Sequence, residues 1–413
     1  MLLIQNIRAI HGIREDGKTR LSGGELGQER TMENAWLLVR GGTIEDFGSM
    51  DKLPTVTTER EVLDAEKGMI LPGFCDSHTH LVFAEDRDQE FEDRILGLSY
   101  EEVAQRGGGI LNSVTRLREL SEDELFERSL VRAKAAIMKG TTLMEIKSGY
   151  GLDFENERKM LRVAKRLEEE LPIRIKTTLL AAHAFPKEFA EDKEGYVQHI
   201  IDRIIPDICE EGLADYIDAF CERGYFSAAQ TDRILEAGVA HGLKPKVHVN
   251  QFSSCAGIQI SLKHRAVSVD HLEVMHGTDL EDLLETDTIA TALPACSFFL
   301  GIPYTPARDI IDGGGTIALA TDFNPGSSPT HDMRFVWSLA CLKMDMTPTE
   351  ALHALTLNGA AAMEMSDHFG SITIGKQADL ILTKPMERLA SIPYRFTEDP
   401  IKHVFVGGSV VDF

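Results

Sequence analysis

The sequence predicts an α/β fold: a closed (β/α)8 TIM barrel carrying a small composite β-sandwich built from both ends of the chain. Three observations predict it. Eight buried apolar runs separated by amphipathic helical stretches fill the middle of the chain, which is the pattern of parallel βαβ units. Each end of the chain instead carries short strands around a double glycine. The length of 413 residues exceeds one ordinary core, so a large domain with a smaller companion is expected.

Taken in order, the first strands read LLIQNIRAI and AWLLVR, followed by a Gly41-Gly42 turn and TIEDFG. The eight apolar runs end near Cys75, Lys147, Ala182, Phe220, Asn250, Asp270, Pro294 and Thr321. Helix starts between them are marked by Ser121-x-x-Glu124, a capping box, and by Thr347-Pro348-Thr349-Glu350, with proline at the first helical position. The C-terminal stretch returns to the style of the first: SITIGKQADLIL, HVFV, Gly407-Gly408 and SVVDF. The matching style predicts that the two ends pair into one β domain, with two unrelated hairpins as the alternative. The expected boundaries are 1–70 and 366–413 for the two parts of the sandwich and 71–365 for the barrel.

Composition excludes several function classes. With 43% hydrophobic and 26% charged residues and no low-complexity tract, the chain is expected to be folded throughout, its termini aside. A net charge of −23 repels phosphate backbones and anionic membranes, so neither nucleic acid nor a membrane is expected as partner. An anionic substrate would need a local cation, which draws attention to any pocket arginine. Six cysteines without a C-x-x-C pair fit reduced thiols in the cytoplasm. MLLIQNIRAIHG lacks the features of a signal peptide, and no run approaches the ~18 apolar residues of a membrane span.

In FCDSHTHLVF, His78 and His80 sit at the end of the first apolar run, and the two-residue period of a strand puts both imidazoles on one side. Alone, H-x-H is weak. His248 in KVHVN and Asp322 in ALATDFNPGSS end the fifth and eighth runs, where a barrel gathers its chemistry. Three imidazoles and a carboxylate there make a metal site with room for water, although Asp322 could also cap the segment after it. His183 in AAHAFP and His271 in SVDHLE occupy equivalent strand ends and read as catalytic or substrate-binding, against a structural reading for lone histidines. His199, His264 and His403 lack that placement. Arg87 in EDRDQEF, the RGGGI segment and Tyr150 in IKSGYGLD could hold a small polar ligand, Arg87 gripping a carboxylate or else standing solvated in an acidic loop.

At these residues the sequence resembles the imidazolonepropionase family of the amidohydrolase superfamily. The resemblance is carried by PGFCDSHTHLVFAEDRDQEF, RGGGI, EIKSGYGLD, AAHAFP, KVHVNQF, SVDHLE, PYTPAR, ALATDFNPGSSPT and GSITIGKQADLIL, which run from Pro72 to Leu382. EIKSGYG and TDFNPGSS are far more specific than the superfamily-wide H-x-H. The resemblance implies a metal-dependent hydrolase barrel and hydrolysis of the ring C–N amide bond of 4-imidazolone-5-propanoate to N-formimidoyl-L-glutamate in histidine degradation. It implies one zinc or iron ion on His78, His80, His248 and Asp322. Arg87, Tyr150, His183, Asn324, Gly326 and Ser327 match substrate contacts, and His271 matches a histidine near the reacting centre.

The sequence departs from the family at Gln251, where many members have glutamate. Glutamine cannot accept a proton comparably, though it can bind a ring through both ends of its amide. Catalytic roles are therefore expected for Asp322 as proton carrier, for His271 at the attacking oxygen, and for Gln251 and His183 in orienting the ring. DAFCERGYF offers Cys221 and Glu222 but no lysine of the kind that holds a second metal, which favours a single ion. A rival reading is an aminohydrolase acting on another nitrogen heterocycle; a rival of a different class is a non-catalytic scaffold of the same ancestry. The sequence says little of assembly, and the class admits a homodimer.

Overall fold

The computed structural model describes residues 1–413 apart from 16, 54–60 and 99–107. Strands β1 (Leu2–Ile13), β2 (Arg30–Arg40), β3 (Thr43–Ser49), β4 (Glu61–Asp64) and β5 (Ile70–Pro72) open the chain. The barrel strands are β6 (Phe74–Asp76), β7 (Thr141–Lys147), β8 (Arg174–Ala182), β9 (Tyr216–Cys221), β10 (Lys244–Val249), β11 (Ser268–His271), β12 (Ile289–Ala292) and β13 (Ile317–Leu319). Strands β14 (Leu380–Thr383), β15 (Ile401–Val406) and β16 (Ser409–Val410) end it.

The two ends do pair. They form one sheet in the order β16-β15-β14-β5-β1-β2-β3, with β4 also on β1. The join is antiparallel, Ile381 opposite Leu71 and Leu382 opposite Ile70. Inward residues from both ends, among them Ile4, Ile10, Leu37, Ile70, Leu380 and Phe405, share one core, so the sheet wraps on itself as a small sandwich. Its two double-glycine turns have positive φ at all four positions, 58° and 88° at Gly41 and Gly42, 53° and 74° at Gly407 and Gly408, as a tight twist-matched hairpin turn requires. A Cβ on Gly408 would lie 2.4 Å from Val39, so the close approach also needs glycine.

The eight barrel strands run parallel in chain order. β6 and β13 meet just beyond their ends, through His80 N–H to Phe323 O at 2.9 Å and Asp322 N–H to His78 O at 3.0 Å. Below this, Asp76 accepts from the Thr321 N–H at 3.0 Å and from its hydroxyl at 2.7 Å. The seam that closes the barrel therefore runs through the residues singled out as metal ligands. Both expected capping boxes form, on the helices Glu122–Met138 and Pro348–Leu355, each adding on the order of 1 kcal/mol at its helix start. The six cysteines are free thiols. Among the described residues no helix is long and apolar enough to cross a membrane.

Candidate metal centre and its pocket

His78, His80, His248 and Asp322 converge at the C-terminal mouth of the barrel. The Nε2 atoms of His78 and His80 each lie 3.5 Å from Asp322 Oδ1, and His80 Nε2 lies 3.3 Å from His248 Nε2. A tetrahedral cation bonded at about 2.0–2.1 Å holds its ligand atoms roughly 3.4 Å apart; His78, His80 and Asp322 stand near that separation, with His248 beside His80 and grouped with His78. His78 Nε2 is buried without a hydrogen-bond partner, which a bound cation would relieve. Burial drives the pKa values of all three imidazoles well below the ordinary histidine value, helped by Lys147 at His78 and His248 and by His183 at His80. They are neutral at neutral pH, as metal-binding imidazoles must be. The residues fit a metal ion.

Each outer ligand is oriented from behind. His78 Nδ1 donates to Asp270 Oδ2 at 2.7 Å and His248 Nδ1 to Asp218 Oδ2 at 2.7 Å, which fixes the tautomer and turns Nε2 towards the cation. Asp218 and Asp270 are fully buried on β9 and β11. Asp322 has φ 52°, a left-handed conformation that aspartate tolerates and that turns its carboxylate inward. Burial raises that carboxyl to about 6, against the opposing pull of His271. At His271 burial disfavours the charge, yet Glu273 and Asp322 prevail and its pKa is raised. Its Nδ1 lies 3.2 Å from Glu273 Oε1.

These groups line a cavity of about 530 Å³. Every site residue expected from the sequence lies on its wall except His78, which is fully buried. His183 stacks on His80 at 5.1 Å between ring centroids, and its Nδ1 donates to Gly149 O at 3.0 Å. Burial lowers its pKa to about 4, leaving a neutral ring with Nε2 free to accept. Tyr150 is buried, which pushes its phenol pKa up, so the hydroxyl remains a donor. Arg87 Nε and Nη2 bond Glu90 Oε2 at 2.9 and 2.5 Å, and Glu90 accepts from Gly109 N–H at 2.8 Å. Arg87 is thus no loose surface charge. Ile110 of the RGGGI segment borders the cavity, while Arg106 and Gly107 lie outside the described residues.

Within the loop after β13, Asn324 Oδ1 accepts from the N–H groups of Gly326 and Ser327 at 2.8 and 2.7 Å, and its Nδ2 donates to Asp322 O at 2.7 Å. The asparagine therefore shapes the loop from inside. Gln251 Nε2 donates to Cys296 Sγ at 3.3 Å. Sequence reasoning missed Cys296, Asp218, Asp270, Glu273 and Glu90. It named Glu222 without a task; this carboxylate accepts from Phe252 and Ser253 N–H at 2.9 and 3.1 Å and pins the turn after Gln251. The available signal was a charged residue inside an apolar run, as in DYIDAF and SVDH.

Comparison with known proteins places the arrangement. Residues 69–411 match the amidohydrolase family model. The imidazolonepropionase of Flavobacterium johnsoniae is 51% identical over 409 residues, covering 99% of each chain. That of Christiangramia forsetii is 50% identical over 99% of this chain and 100% of its own; that of Pseudomonas putida GB-1 is 42% identical over 92% and 94%. Among solved structures, E. coli guanine deaminase superposes with a TM-score of 0.76 at 14% identity, over 99% of this chain and 98% of its own. Atrazine chlorohydrolase TrzN from Arthrobacter aurescens TC1, complexed with zinc, gives 0.72 at 16% identity, over 99% and 95%. These two share the fold.

Proposed function

The chain belongs to the amidohydrolase family and, within it, to the imidazolonepropionases, metal-dependent hydrolases of a carbon–nitrogen bond in a cyclic amide, and we propose that it opens the ring of 4-imidazolone-5-propanoate to give N-formimidoyl-L-glutamate. The observation that carries this reading is a single cavity lined by the candidate metal donors His80, His248 and Asp322, with His78 bordering Asp322 from outside the wall, and by the braced guanidinium of Arg87. A cyclic amide with a carboxylate tail needs both.

His78, His80, His248 and Asp322 would hold one zinc or iron ion, which imidazole and carboxylate donors suit alike. When bound, that ion supplies Lewis acidity and makes water acidic enough to attack at neutral pH. Asp322 takes the proton of the attacking water and returns it to the departing ring nitrogen. His271, held by Glu273, donates a hydrogen bond to the oxygen on which charge develops. Gln251 and His183 orient the ring, and Arg87 with the Tyr150 hydroxyl anchors the propanoate. Asn324, Gly326 and Ser327 form the wall against which the tail lies.

The test is loss of imidazolone absorbance on mixing purified protein with 4-imidazolone-5-propanoate, with elemental analysis of the same sample. Turnover that scales with bound zinc or iron, and that chelation removes, is expected. Metal-loaded protein inert to this substrate would contradict the reading.

A further inference from the structure

A charged layer lies beneath the metal centre, and the mechanism above uses none of it. Lys147, the last residue of β7, is fully buried. Its Nζ lies 2.8 Å from Glu145 Oε1, 3.0 Å from Asp218 Oδ2 and 3.4 Å from Asp270 Oδ2. Those last two oxygens are the same atoms that receive the Nδ1–H groups of His248 and His78. One ammonium thus bridges the two carboxylates that orient two ligands standing on different strands.

Around it, Lys246 Nζ lies 3.2 Å from Glu145 Oε2 and donates to Ser268 Oγ at 2.8 Å. Ser268 in turn donates to Asp270 Oδ1 at 2.6 Å. Glu145, Asp218, Asp270 and both lysines have fully buried side chains. Buried ion groups of this size contribute little net stability against an apolar replacement. Their arrangement is better accounted for by what it positions. Strand periodicity explains how it arises: Glu145 and Lys147, Lys246 and His248, and Ser268 and Asp270 are i, i+2 pairs pointing into the barrel.

We propose that Lys147 is a positioning residue for the metal centre, acting through Asp218 and Asp270 to hold the Nε2 atoms of His248 and His78 at coordinating separation. The inference rests on His78 and His248 being metal ligands. Without the ammonium, two adjacent buried carboxylates lose their shared partner, and the imidazoles they hold lose a common reference point. Partners behind metal-binding histidines typically change metal affinity 10–100-fold, and one residue that serves two of them belongs at the upper end.

The experiment measures zinc affinity of the metal-free protein by competition with a chromophoric chelator, for wild type, Lys147→Met and the double variant Glu145→Gln/Lys147→Met. The double variant removes one buried charge of each sign, so the layer keeps its net charge and the fold has a route to survive if the single variant does not. Cobalt(II) replaces zinc in a parallel set, and its visible absorption reports coordination geometry. We expect zinc affinity roughly 100-fold weaker in either folded variant, with an altered cobalt spectrum. Wild-type affinity and spectrum in either folded variant would overturn the proposal. Affinity restored in the double variant would overturn it too, because charge balance and not the bridge would then be the cause. Wild-type protein that binds zinc at other residues, judged by unchanged affinity in His78→Ala, would instead sink the metal centre itself.

Discussion

Replacing Gly326 by alanine asks whether the loop after β13 is shaped to admit Arg87. An alanine Cβ would stand 2.2 Å from Arg87 Nη1 and 2.8 Å from its Cζ, where ordinary contact begins at 3.4 Å. The guanidinium must therefore retreat by about 1.2 Å. The backbone is no obstacle, since Gly326 is not among the glycines with positive φ. Retreat is not free, because Nε and Nη2 are held by Glu90, itself fixed by Gly109. A misplacement of about 1 Å can cost on the order of 100-fold, and hydrogen bonds to a charged group contribute about 1.5–3 kcal/mol. The expected result is a KM for 4-imidazolone-5-propanoate raised about 10–100-fold with kcat little changed, the signature of lost uniform binding. An imidazolone lacking the carboxylate should lose nothing. Steady-state kinetics on both compounds, for Gly326→Ala, Arg87→Ala and the double variant, complete the cycle. The clash needs both residues, so the double variant should be no worse than Arg87→Ala alone. An unchanged KM in Gly326→Ala, equal losses on both compounds, or additive losses in the double variant would refute the argument.

Two further outcomes are expected. Asp322→Asn, reconstituted until elemental analysis shows full metal occupancy, should turn over at least about 100-fold more slowly, the scale of a lost proton carrier; near-normal turnover would remove Asp322 from that role. Stability should also depend on His353, which is buried, donates from Nδ1 to Leu26 O at 2.8 Å and has its pKa lowered to about 4, chiefly by burial. The unfolded value is about 6.5, so the unfolded chain binds the extra proton first, and the contribution is whole above about pH 6.5 and lost as pH falls through about 4. The shift corresponds to about 3 kcal/mol. Urea unfolding at a series of pH values should show His353→Gln losing less stability on acidification than wild type by about that amount; identical slopes would exclude the assignment.

The barrel was legible because its strands are buried on both faces and so appear as unbroken apolar runs. The runs placed to end near Lys147 and Ala182 do end there, and those placed at Cys75, Phe220, Asn250 and Asp270 end one residue away. β12 and β13 end two residues early, at Ala292 and Leu319; beyond them the chain brings Cys296 against Gln251 and Asp322 to the cavity. The candidate ligands were legible for the complementary reason. His78, His80, His248 and Asp322 interrupt an apolar pattern at the point where it stops, and four such interruptions in one barrel form a cluster.

The supporting groups were hidden by the same rule. Asp218, Glu145 and Lys246 lie within the runs, where a single polar residue looks like tolerated noise until the strands are set side by side. Cys296 looked like one more apolar residue. Glu90 and Gly109 bond across 19 residues of sequence, and no periodicity relates them. Pattern along one strand reports burial; pairing between strands far apart in sequence, such as Asp270 with His78, is reported only by the fold.

We propose that Gln251 directs where the proton goes. Among the described residues lining the cavity Asp322 is the only carboxylate, so with no glutamate at 251 the described candidates for the acceptor are Asp322 and the histidines. His183 has a pKa of about 4 and is too weak a base to hold a proton at neutral pH. His271 has its pKa raised, which suits a hydrogen-bond donor better than an empty acceptor. His80 and His248 have their Nε2 lone pairs turned to the metal position. The amide of Gln251, its Nε2 engaged by Cys296, presents Oε1 as an acceptor for a ring N–H and carries no charge. A glutamate there would set a second anion in the same closed space as Asp322, each raising the other's pKa. On this proposal the glutamine leaves Asp322, among the described residues, as the group that accepts the proton and returns it.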